Sequence, residues 1–229
     1  MDAEFDRFSV DYAELLHDPI REKFAPNSHF FHERKWALLQ NWARRLRIDL
    51  HRESWVDLGC GKGELLRLGR PHVGRALGCD LSEGMLQSCA DLEIRLQESP
   101  DRLPFDDGSI GLATAVCVYH HVAPEDRPAL TAEVRRVLRP GGIFFIIEHN
   151  PLNPVTKLIV SRTPVDADAL LLTDGSARRV MRRGGFEVLG TQYFLYFPEP
   201  MYRRLGRAEC WLARVPLGGQ YAVLGRKQE

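Results

Sequence analysis

The sequence predicts an α/β fold built on a mostly parallel sheet. The strongest evidence is the segment 55–63, in which an apolar run ends in an acidic residue and three alternating glycines precede a helical pattern. A second short strand, 73–80, ends in Asp80, about 20 residues beyond the glycines. Buried strands and amphipathic helices then alternate toward the C-terminus, which is typical of strand–helix–strand units. We therefore expect helices on both faces of one sheet.

The N-terminal 52 residues are predicted to form a helical cap. Residues 31–50 carry apolar side chains at helical spacing, and basic side chains occupy much of the remaining helix surface. The simplest explanation of these basic side chains is a face exposed to solvent.

The glycine loop is predicted to hold a ligand, and its spacing limits which ligand this can be. Gly59, Gly61 and Gly63 permit positive φ and let the backbone approach a bound molecule closely. A dinucleotide fingerprint needs its third glycine where Glu64 stands, and no Gly-Lys-Ser/Thr follows as in a P-loop. Asp57 ends the preceding strand, where its charge suits a cationic group such as an ammonium and opposes a pyrophosphate.

Asp80 is predicted to bind a ribose. A carboxylate can accept hydrogen bonds from both ribose hydroxyls, and charge-assisted hydrogen bonds of this kind are strong. The distance of Asp80 from the glycine loop matches a mononucleotide-binding unit. The alternative is that this carboxylate caps the N-terminus of the helix that follows.

Three motifs resemble class I S-adenosylmethionine (SAM)-dependent methyltransferases of the small-molecule, type 11 group. Residues 56–63, VDLGCGKG, are similar to the first motif of that family. The segment LPFDDGS at 103–109 is similar to the family's LPF-D-G-S pattern, and LRPGG at 138–142 resembles a further signature. The motifs occur in the family's order between about residues 53 and 150.

The resemblance implies a Rossmann-like, doubly wound sheet of seven strands, mostly parallel with an antiparallel last strand. It also implies one methyltransferase domain, within which the helical cap spans 1–52 and the SAM-binding core spans 53–150. Prolines around a short apolar stretch favour a helical lid insertion at 151–175, and a C-terminal helix with antiparallel strands is expected at 176–229.

The resemblance implies that SAM is the cofactor and lies against the glycine loop. The N-terminal cap would bring two polar side chains to the methionine carboxylate of SAM. Ser99 stands where the family usually has an Asp that binds the adenine amino group, so Glu98 or a backbone group could replace that contact. The implied cofactor-binding residues are Asp57, Gly59, Cys60, Gly61, Gly63, Asp80, Leu81, Met85, Ser99, Pro100, Ala115, Tyr12 and Lys35.

His149 and His120 are the candidate catalytic residues. Ligands of open α/β sheets bind beyond the carboxyl ends of strands, and His149 follows the apolar strand 143–147. A hydroxyl acceptor would need a base, for which histidine is the commonest side chain. His121 is expected to pack behind its strand. These histidines and Glu148 could hold a metal, but their spacing matches no metal motif, so we expect none.

The composition is that of an ordinary soluble protein. Lys plus Arg and Asp plus Glu both number 31, so no overall positive charge attracts nucleic acid. The apolar runs are too short to span a bilayer, and the N-terminus lacks the apolar core of a signal sequence. Five cysteines without a CxxC pair suggest reduced thiols. We expect a cytoplasmic monomer or homodimer that binds no nucleic acid.

The expected function is methyl transfer from SAM to a small-molecule acceptor, by default an oxygen nucleophile, with in-line displacement. Nitrogen and carbon acceptors stay open. One alternative is a SAM-binding protein without transfer activity that acts as a partner or scaffold. A further alternative is a lipid-linked or macromolecular acceptor, because arginines alternate with apolar and aromatic residues over 178–214. A basic amphipathic surface of this kind could rest on anionic lipid, although a core-facing stripe with solvated arginines explains the same pattern.

Overall fold

A seven-stranded sheet forms the centre of the computed structural model, which describes residues 4–228. The strands are β1 (Ser54–Leu58), β2 (Arg75–Asp80), β3 (Glu93–Leu96), β4 (Ile110–Val116), β5 (Leu138–His149), β6 (Phe186–Phe194) and β7 (Gln220–Lys227). Their order across the sheet is β3-β2-β1-β4-β5-β7-β6. Every neighbouring pair is parallel except those of β7, which runs antiparallel to β5 and β6. The predicted sheet with an antiparallel last strand is confirmed.

Helices connect the strands and cover both faces of the sheet. Within residues 4–228 the α-helices are α1 (Tyr12–Leu15), α2 (Pro19–Phe24), α3 (His29–Leu46), α4 (Glu64–Gly69), α5 (Glu83–Leu86), α6 (Arg127–Val137), α7 (Pro154–Val160), α8 (Asp174–Arg183), α9 (Glu199–Leu205) and α10 (Glu209–Leu212). Short 3-10 helices lie at Glu4–Phe8, Leu50–Arg52, Arg70–His72, Gln87–Cys89, Pro164–Asp166 and Gly206–Ala208. Residues 1–3 and 229, which belong to the predicted cap and C-terminal region, lie outside the described residues.

Side chains of β5 alternate between two hydrophobic cores because successive residues of a strand point to opposite faces. Phe144 and Ile146 belong to the core that packs under α6 and α8. Phe145 and Ile147 belong to the core that packs under α3 and α4. The apolar run of β5 is therefore buried on both faces, as parallel sheets require.

Two element boundaries differ from the sequence-based expectation. The helix predicted over 31–50 ends at Leu46, because Arg47 adopts a left-handed conformation with φ of 58° and closes the helix. β5 begins at Leu138 rather than at Ile143, and Gly141, at φ of 75°, turns the chain within this early part of the strand. The helices α9 and α10 were not anticipated, because each is short and carries little periodic signal.

The N-terminal segment crosses the carboxyl edge of the sheet. Asp6 Oδ1 accepts hydrogen bonds from Ser82 Oγ at 2.5 Å and from the backbone N–H of Gly84 at 2.9 Å, which fixes the segment beyond β2. The ring of Phe5 meets the ring of His121 edge-on at 4.8 Å, which fixes it beyond β4. The N-terminal cap thus covers the edge at which ligands of open α/β sheets bind.

Candidate active site

The loop between β1 and α4 forms a cradle whose backbone is open to a ligand. Gly59, Gly61 and Gly63 all have positive φ, at 61°, 54° and 77°. A methyl group added at Gly59 would lie 2.6 Å from Val118, whereas one added at Gly61 would meet no protein atom within 4 Å. Gly61 therefore borders open space. A ligand can lie against the backbone there, in the space that a Cβ atom at Gly61 would otherwise occupy.

Asp80 fixes this cradle from the end of β2. Its Oδ2 accepts a hydrogen bond from the backbone N–H of Gly61 at 2.8 Å, and its Oδ1 accepts one from Ser82 at 2.9 Å. Ser82, and not Asp80, caps α5, because Ser82 Oγ accepts from the backbone N–H of Met85. The helix-cap alternative for Asp80 is therefore wrong. Each carboxylate oxygen keeps a further lone pair for a ligand hydroxyl.

Asp57 lies beneath the cradle at the end of β1, and only 4% of its surface is exposed. Thr114 Oγ1 donates to Asp57 Oδ1 at 2.5 Å. Burial raises the pKa of Asp57 to about 7, although the hydrogen bond from Thr114 and the charge of Lys35 act in the opposite direction. A cationic ligand group beside this carboxyl would stabilise its charged form.

The N-terminal cap turns three polar side chains toward the cradle. Burial raises the pKa of Tyr12, and so do the neighbouring charges of Cys117 and Asp166. Lys35 is 7% exposed and makes no hydrogen bond or ion pair with any other residue in 4–228. Arg21 stands beside Tyr12, where burial lowers the pKa of its guanidinium. Lys35 is thus buried, whereas Arg44, Arg45 and Arg47 are exposed, as expected of a solvated basic face.

A buried ion pair lies at the carboxyl ends of β4 and β5. His120 Nδ1 lies 2.5 Å from Glu148 Oε2, and His120 Nε2 lies 3.4 Å from Asp166 Oδ1. Burial opposes the charged form of His120, but Glu148 and Asp166 outweigh it and hold the pKa of His120 well above its usual value. His120 holds the pKa of Glu148 below its usual value despite burial. His120 therefore carries its proton between two carboxylates.

His149 lies beside this pair but stays neutral. The rings of His149 and His120 are 5.3 Å apart. Burial and the charge of His120 lower the pKa of His149 to about 4. Near neutral pH the His149 ring thus has an unprotonated nitrogen that can accept a proton. The neighbouring Gln220 Oε1 is buried and has no hydrogen-bond partner among the described residues.

His121 faces the site and does not pack behind its strand. Its Nε2 lies 3.4 Å from Asp166 Oδ1, on the side covered by Phe5. The expectation for this side chain is therefore wrong, because the loop after β4 turns outward and the 3-10 helix 164–166 brings a carboxylate to it. Ligating atoms of His120, His121 and Asp166 lie within 4.8 Å of one another. We interpret this cluster as an ion-pair network, since the two ring N–H groups of protonated His120 face Glu148 and Asp166.

The other predicted cofactor residues have mixed surroundings. Met85 is fully buried and Leu81 is exposed, so Leu81 is the one that presents an apolar side chain at the edge of the cradle. Ser99 Oγ bonds to Asp101, and the backbone carbonyl of Ser99 accepts from Gln97 Nε2 at 2.8 Å. Pro100 is exposed, Ala115 is buried inside β4, and burial raises the pKa of Cys60 so that its thiol stays protonated.

Sequence reasoning missed Arg21, Asp166 and Thr114 as members of this site. Arg21 belongs to α2, a helix of six residues with no clear periodicity. Asp166 belongs to the segment 151–175, where no pattern indicated which residue would turn inward. Thr114 could have been recognised, because a hydroxyl in a buried strand needs a partner and Asp57 occupies the neighbouring strand.

Comparisons with known proteins support the fold and match part of the chain to a methyltransferase domain. Residues 56–146 match the family model described as a methyltransferase domain. A SAM-dependent methyltransferase from Thermotoga maritima, described as a possible histamine N-methyltransferase, superposes with a TM-score of 0.68. That match covers 98% of each chain at 16% identity, so it bears on the fold alone.

Relatives with higher identity match shorter stretches. A demethylmenaquinone methyltransferase from Symbiobacterium thermophilum is 29% identical over 153 residues, which are 60% of this chain and 59% of the relative. A tRNA (carboxymethyluridine(34)-5-O)-methyltransferase from Arabidopsis thaliana is 31% identical over 118 residues, which are 49% of this chain and 28% of the relative. The chain thus spans less than two thirds of these relatives. Among the described residues, no helix has the length and apolar character to cross a bilayer.

Proposed function

Because the chain belongs to the class I SAM-dependent methyltransferases, we propose that it transfers a methyl group from SAM to a small-molecule oxygen nucleophile. The observation that carries this proposal is the neutral His149 beside the buried His120–Glu148 pair, at the edge that holds the glycine cradle. A neutral base beside a donor site suits an acceptor that must lose a proton.

The residues present fit SAM. The space beside Gly61 accepts a ligand against the backbone, and Asp80 offers acceptors for ribose hydroxyls. The buried carboxyl of Asp57 suits the ammonium of the methionine part. Lys35 suits its carboxylate, because this buried cation acts on the pKa of Asp57 but forms no ion pair with any residue in 4–228. When bound, SAM supplies a methyl group that its sulfonium makes electrophilic.

We assign the two histidines different roles in catalysis. His149 accepts the acceptor's proton, because its ring is unprotonated near neutral pH. His120 holds a positive charge between Glu148 and Asp166, which adds to the effect of burial in keeping the pKa of His149 low, and its ring lies 5.3 Å from that of His149. His120 is therefore a positioning residue in this proposal, and His149 is the catalytic residue.

The segment 151–175 is proposed as a lid over the acceptor. It contributes Asp166 to the charged cluster, so its position is coupled to the charge state of His120. Together with Phe5 it covers the carboxyl edge, which excludes water and limits the size of the acceptor. This enclosure favours a small molecule, or the terminus of a longer one.

Calorimetry with SAM and with S-adenosylhomocysteine tests the donor. Micromolar binding of either supports the proposal, and failure of both to bind contradicts it. A methyl-transfer screen with phenols, carboxylic acids, amines, lipid-linked acceptors and tRNA then tests the acceptor. Transfer to tRNA alone, or to no acceptor despite SAM binding, would favour the macromolecular or non-catalytic alternatives.

His149→Ala and His120→Ala test the assigned roles once an acceptor is found. We expect His149→Ala to lower kcat by roughly 100-fold or more, as removal of a general base does. His120→Ala should change the pH profile in addition to the rate. His51→Ala is the matched control, because His51 is exposed near the start of β1, at the opposite end of that strand from Asp57. Full rates in both site variants would show that neither histidine takes part.

A further inference from the structure

Large apolar side chains are exposed on the segments that follow β5 and β6. Trp211 is 83% exposed, although tryptophan is usually well covered. The exposed apolar side chains that frame this face are Leu152, Val155, Met201, Leu205, Trp211 and Leu217. We call the face formed by residues 152–158 and 201–217 the apolar surface. Exposed apolar patches of this kind mark interaction sites more often than chance.

Hydrogen bonds hold the two parts of the apolar surface side by side. Asn153 Nδ2 donates to the backbone carbonyl of Leu217 at 2.7 Å. Asn150 Nδ2 donates to the carbonyls of Pro216 at 3.1 Å and Gly218 at 2.8 Å. Leu152 and Val155 therefore lie beside residues 216–218, at the end of the 201–217 part of the apolar surface.

The apolar surface is basic although the chain as a whole has no net charge. Residues 150–163 contain Lys157 and Arg162 and no acidic residue. Residues 199–217 contain four arginines and two glutamates. One of these glutamates, Glu209, is buried and bonded to an arginine of α3, so its charge does not offset the surface arginines.

A cavity of about 380 Å³ opens at the rim of the apolar surface, between α8 and β6. The polar residues that line it are Asp174, Arg178, Arg182, Thr191, Tyr193 and Arg214. Arg178 Nε and Thr191 Oγ1 are buried and have no hydrogen-bond partner among the described residues, although Arg178 Nε lies 3.6 Å from Asp174 Oδ2. Three guanidinium groups face one carboxylate here, and unpaired buried donors are costly unless a ligand satisfies them. An anion with several oxygens, such as a phosphate, fits this set of donors.

The cavity and the apolar surface share one wall. Arg214 and Pro216 line the cavity, while the intervening Val215 and the following Leu217 are exposed. The same segment leads into Gln220, which pairs with His149 across β7 and β5. A molecule whose anionic group lies in the cavity would therefore contact the same segment that carries part of the apolar surface.

We propose that the apolar surface docks on an anionic phospholipid membrane, with a lipid phosphate bound between Arg178, Arg182 and Arg214. Trp211 and Leu217 enter the interface, where aromatic and apolar side chains bind lipid, and the surrounding arginines meet the negative headgroups. The surface adds a membrane partner to the proposed methyl transfer. It would let an amphiphilic acceptor reach His149 from the bilayer, but membrane binding itself requires neither SAM nor an acceptor.

Vesicle flotation of the full chain tests the proposal. We expect binding to vesicles of phosphatidylcholine with phosphatidylglycerol, and little binding to phosphatidylcholine alone. The variant Arg178→Gln, Arg182→Gln, Arg214→Gln should bind on the order of 100-fold more weakly, since each arginine near an anionic surface contributes about fivefold. Trp211→Ser with Leu217→Ser should weaken binding roughly tenfold, as loss of two interfacial apolar side chains predicts.

Matched variants separate the surface from general effects of charge and exposure. Arg44→Gln, Arg45→Gln, Arg52→Gln removes the same charge from exposed positions that belong neither to the apolar surface nor to the cavity lining, and Leu96→Ser removes an exposed leucine from the edge strand β3. Both should bind vesicles as the wild type does. All variants should bind SAM as the wild type does, so that folding and the donor site are checked independently.

Several outcomes would overturn the proposal. These are equal binding to charged and uncharged vesicles, no vesicle binding, or a cavity variant that binds within twofold of the wild type. Inorganic phosphate and glycerol 3-phosphate, each compared with chloride at equal ionic strength, test a soluble anion as the occupant. Thermal stabilisation by either ion without vesicle binding would show that the cavity serves a free anion. Binding of tRNA through the same arginines without vesicle binding would assign the surface to nucleic acid.

Discussion

The affinity for SAM should depend on the protonation of Asp57, and the structure allows the size of that effect to be worked out. Burial raises the pKa of this carboxyl to about 7 in the ligand-free protein. The proposed contact with the SAM ammonium needs the carboxylate form, so binding lowers the pKa and releases a proton. Lowering the pH through 7 should therefore weaken SAM binding.

The expected change follows from the fraction of protein with Asp57 ionised. With a pKa of about 7, about nine tenths of the carboxyl groups are ionised at pH 8 and about one tenth at pH 6. An affinity that requires the ionised form then falls about tenfold between these pH values, which corresponds to about 1.4 kcal/mol. Binding at pH 6 should release close to one proton for each SAM bound.

Calorimetry in buffers of different ionisation enthalpy measures both quantities. The dependence of the binding enthalpy on the buffer gives the number of protons released, and the titration gives Kd at each pH. Asp57→Asn is the control, because asparagine keeps the shape of the side chain and cannot titrate. It should bind SAM weakly and with little dependence on pH between 6 and 8. A wild-type Kd that changes less than twofold, or the same pH dependence in the variant, would refute the role of Asp57.

Three further predictions use other contacts of the site. Asp57→Asn should raise the thermal stability of the ligand-free protein at pH 8. A carboxyl whose pKa rises on folding opposes folding increasingly as pH rises from about 4 to about 7. An unchanged or lower Tm at pH 8 would contradict this. His120→Gln should raise the pKa of His149 above about 4, because the variant removes a positive charge and leaves Glu148 and Asp166; an NMR titration of His149 that shows no increase would exclude this coupling. Gly61→Ala should cost about 1 kcal/mol of stability because of its positive φ, and it should weaken SAM binding at least tenfold. Gly141→Ala is the matched control, because Gly141 has φ of 75° and equally open surroundings. This variant should lose similar stability and keep its affinity for SAM.

The parts of this protein that the sequence predicted are those set by local patterns. The glycine loop and the acidic ends of β1 and β2 follow from residues close together in the chain. The apolar run of β5 likewise predicts a strand that is buried on both faces of the sheet. Tyr12 and Lys35 were placed toward the cofactor only through resemblance, and both lie near Asp57 or Asp80 in the structure. Periodicity could not have placed them, because it gives the face of a helix but not the element against which that face packs.

The charged cluster was less predictable because its members come from distant segments. Glu148 lies near the end of β5 and His120 follows the end of the neighbouring β4, so their approach follows from the sheet order once that is known. Asp166 reaches them from a segment with no regular pattern, and it changes the chemistry of the cluster. With two carboxylates around it, His120 holds a proton and cannot act as a base near neutral pH. From sequence alone both histidines are candidates for the same role, and only their partners in the structure distinguish them.

The site combines several features that oppose folding and that ligands would relieve. Asp57 is a carboxyl buried at a cost to its charged form, and Lys35 is a buried cation whose charge acts on Asp57 but which forms no ion pair with any residue in 4–228. Groups of this kind lower stability in the free protein, since buried charges without partners are costly. A zwitterionic amino acid group supplies one charge of each sign and would satisfy both side chains together. SAM should therefore stabilise the protein more than adenosine, which can occupy the ribose site at Asp80 but carries neither charge. Thermal melts at matched saturation of the two ligands measure this difference, and equal stabilisation would mean that Asp57 and Lys35 do not recognise the amino acid part.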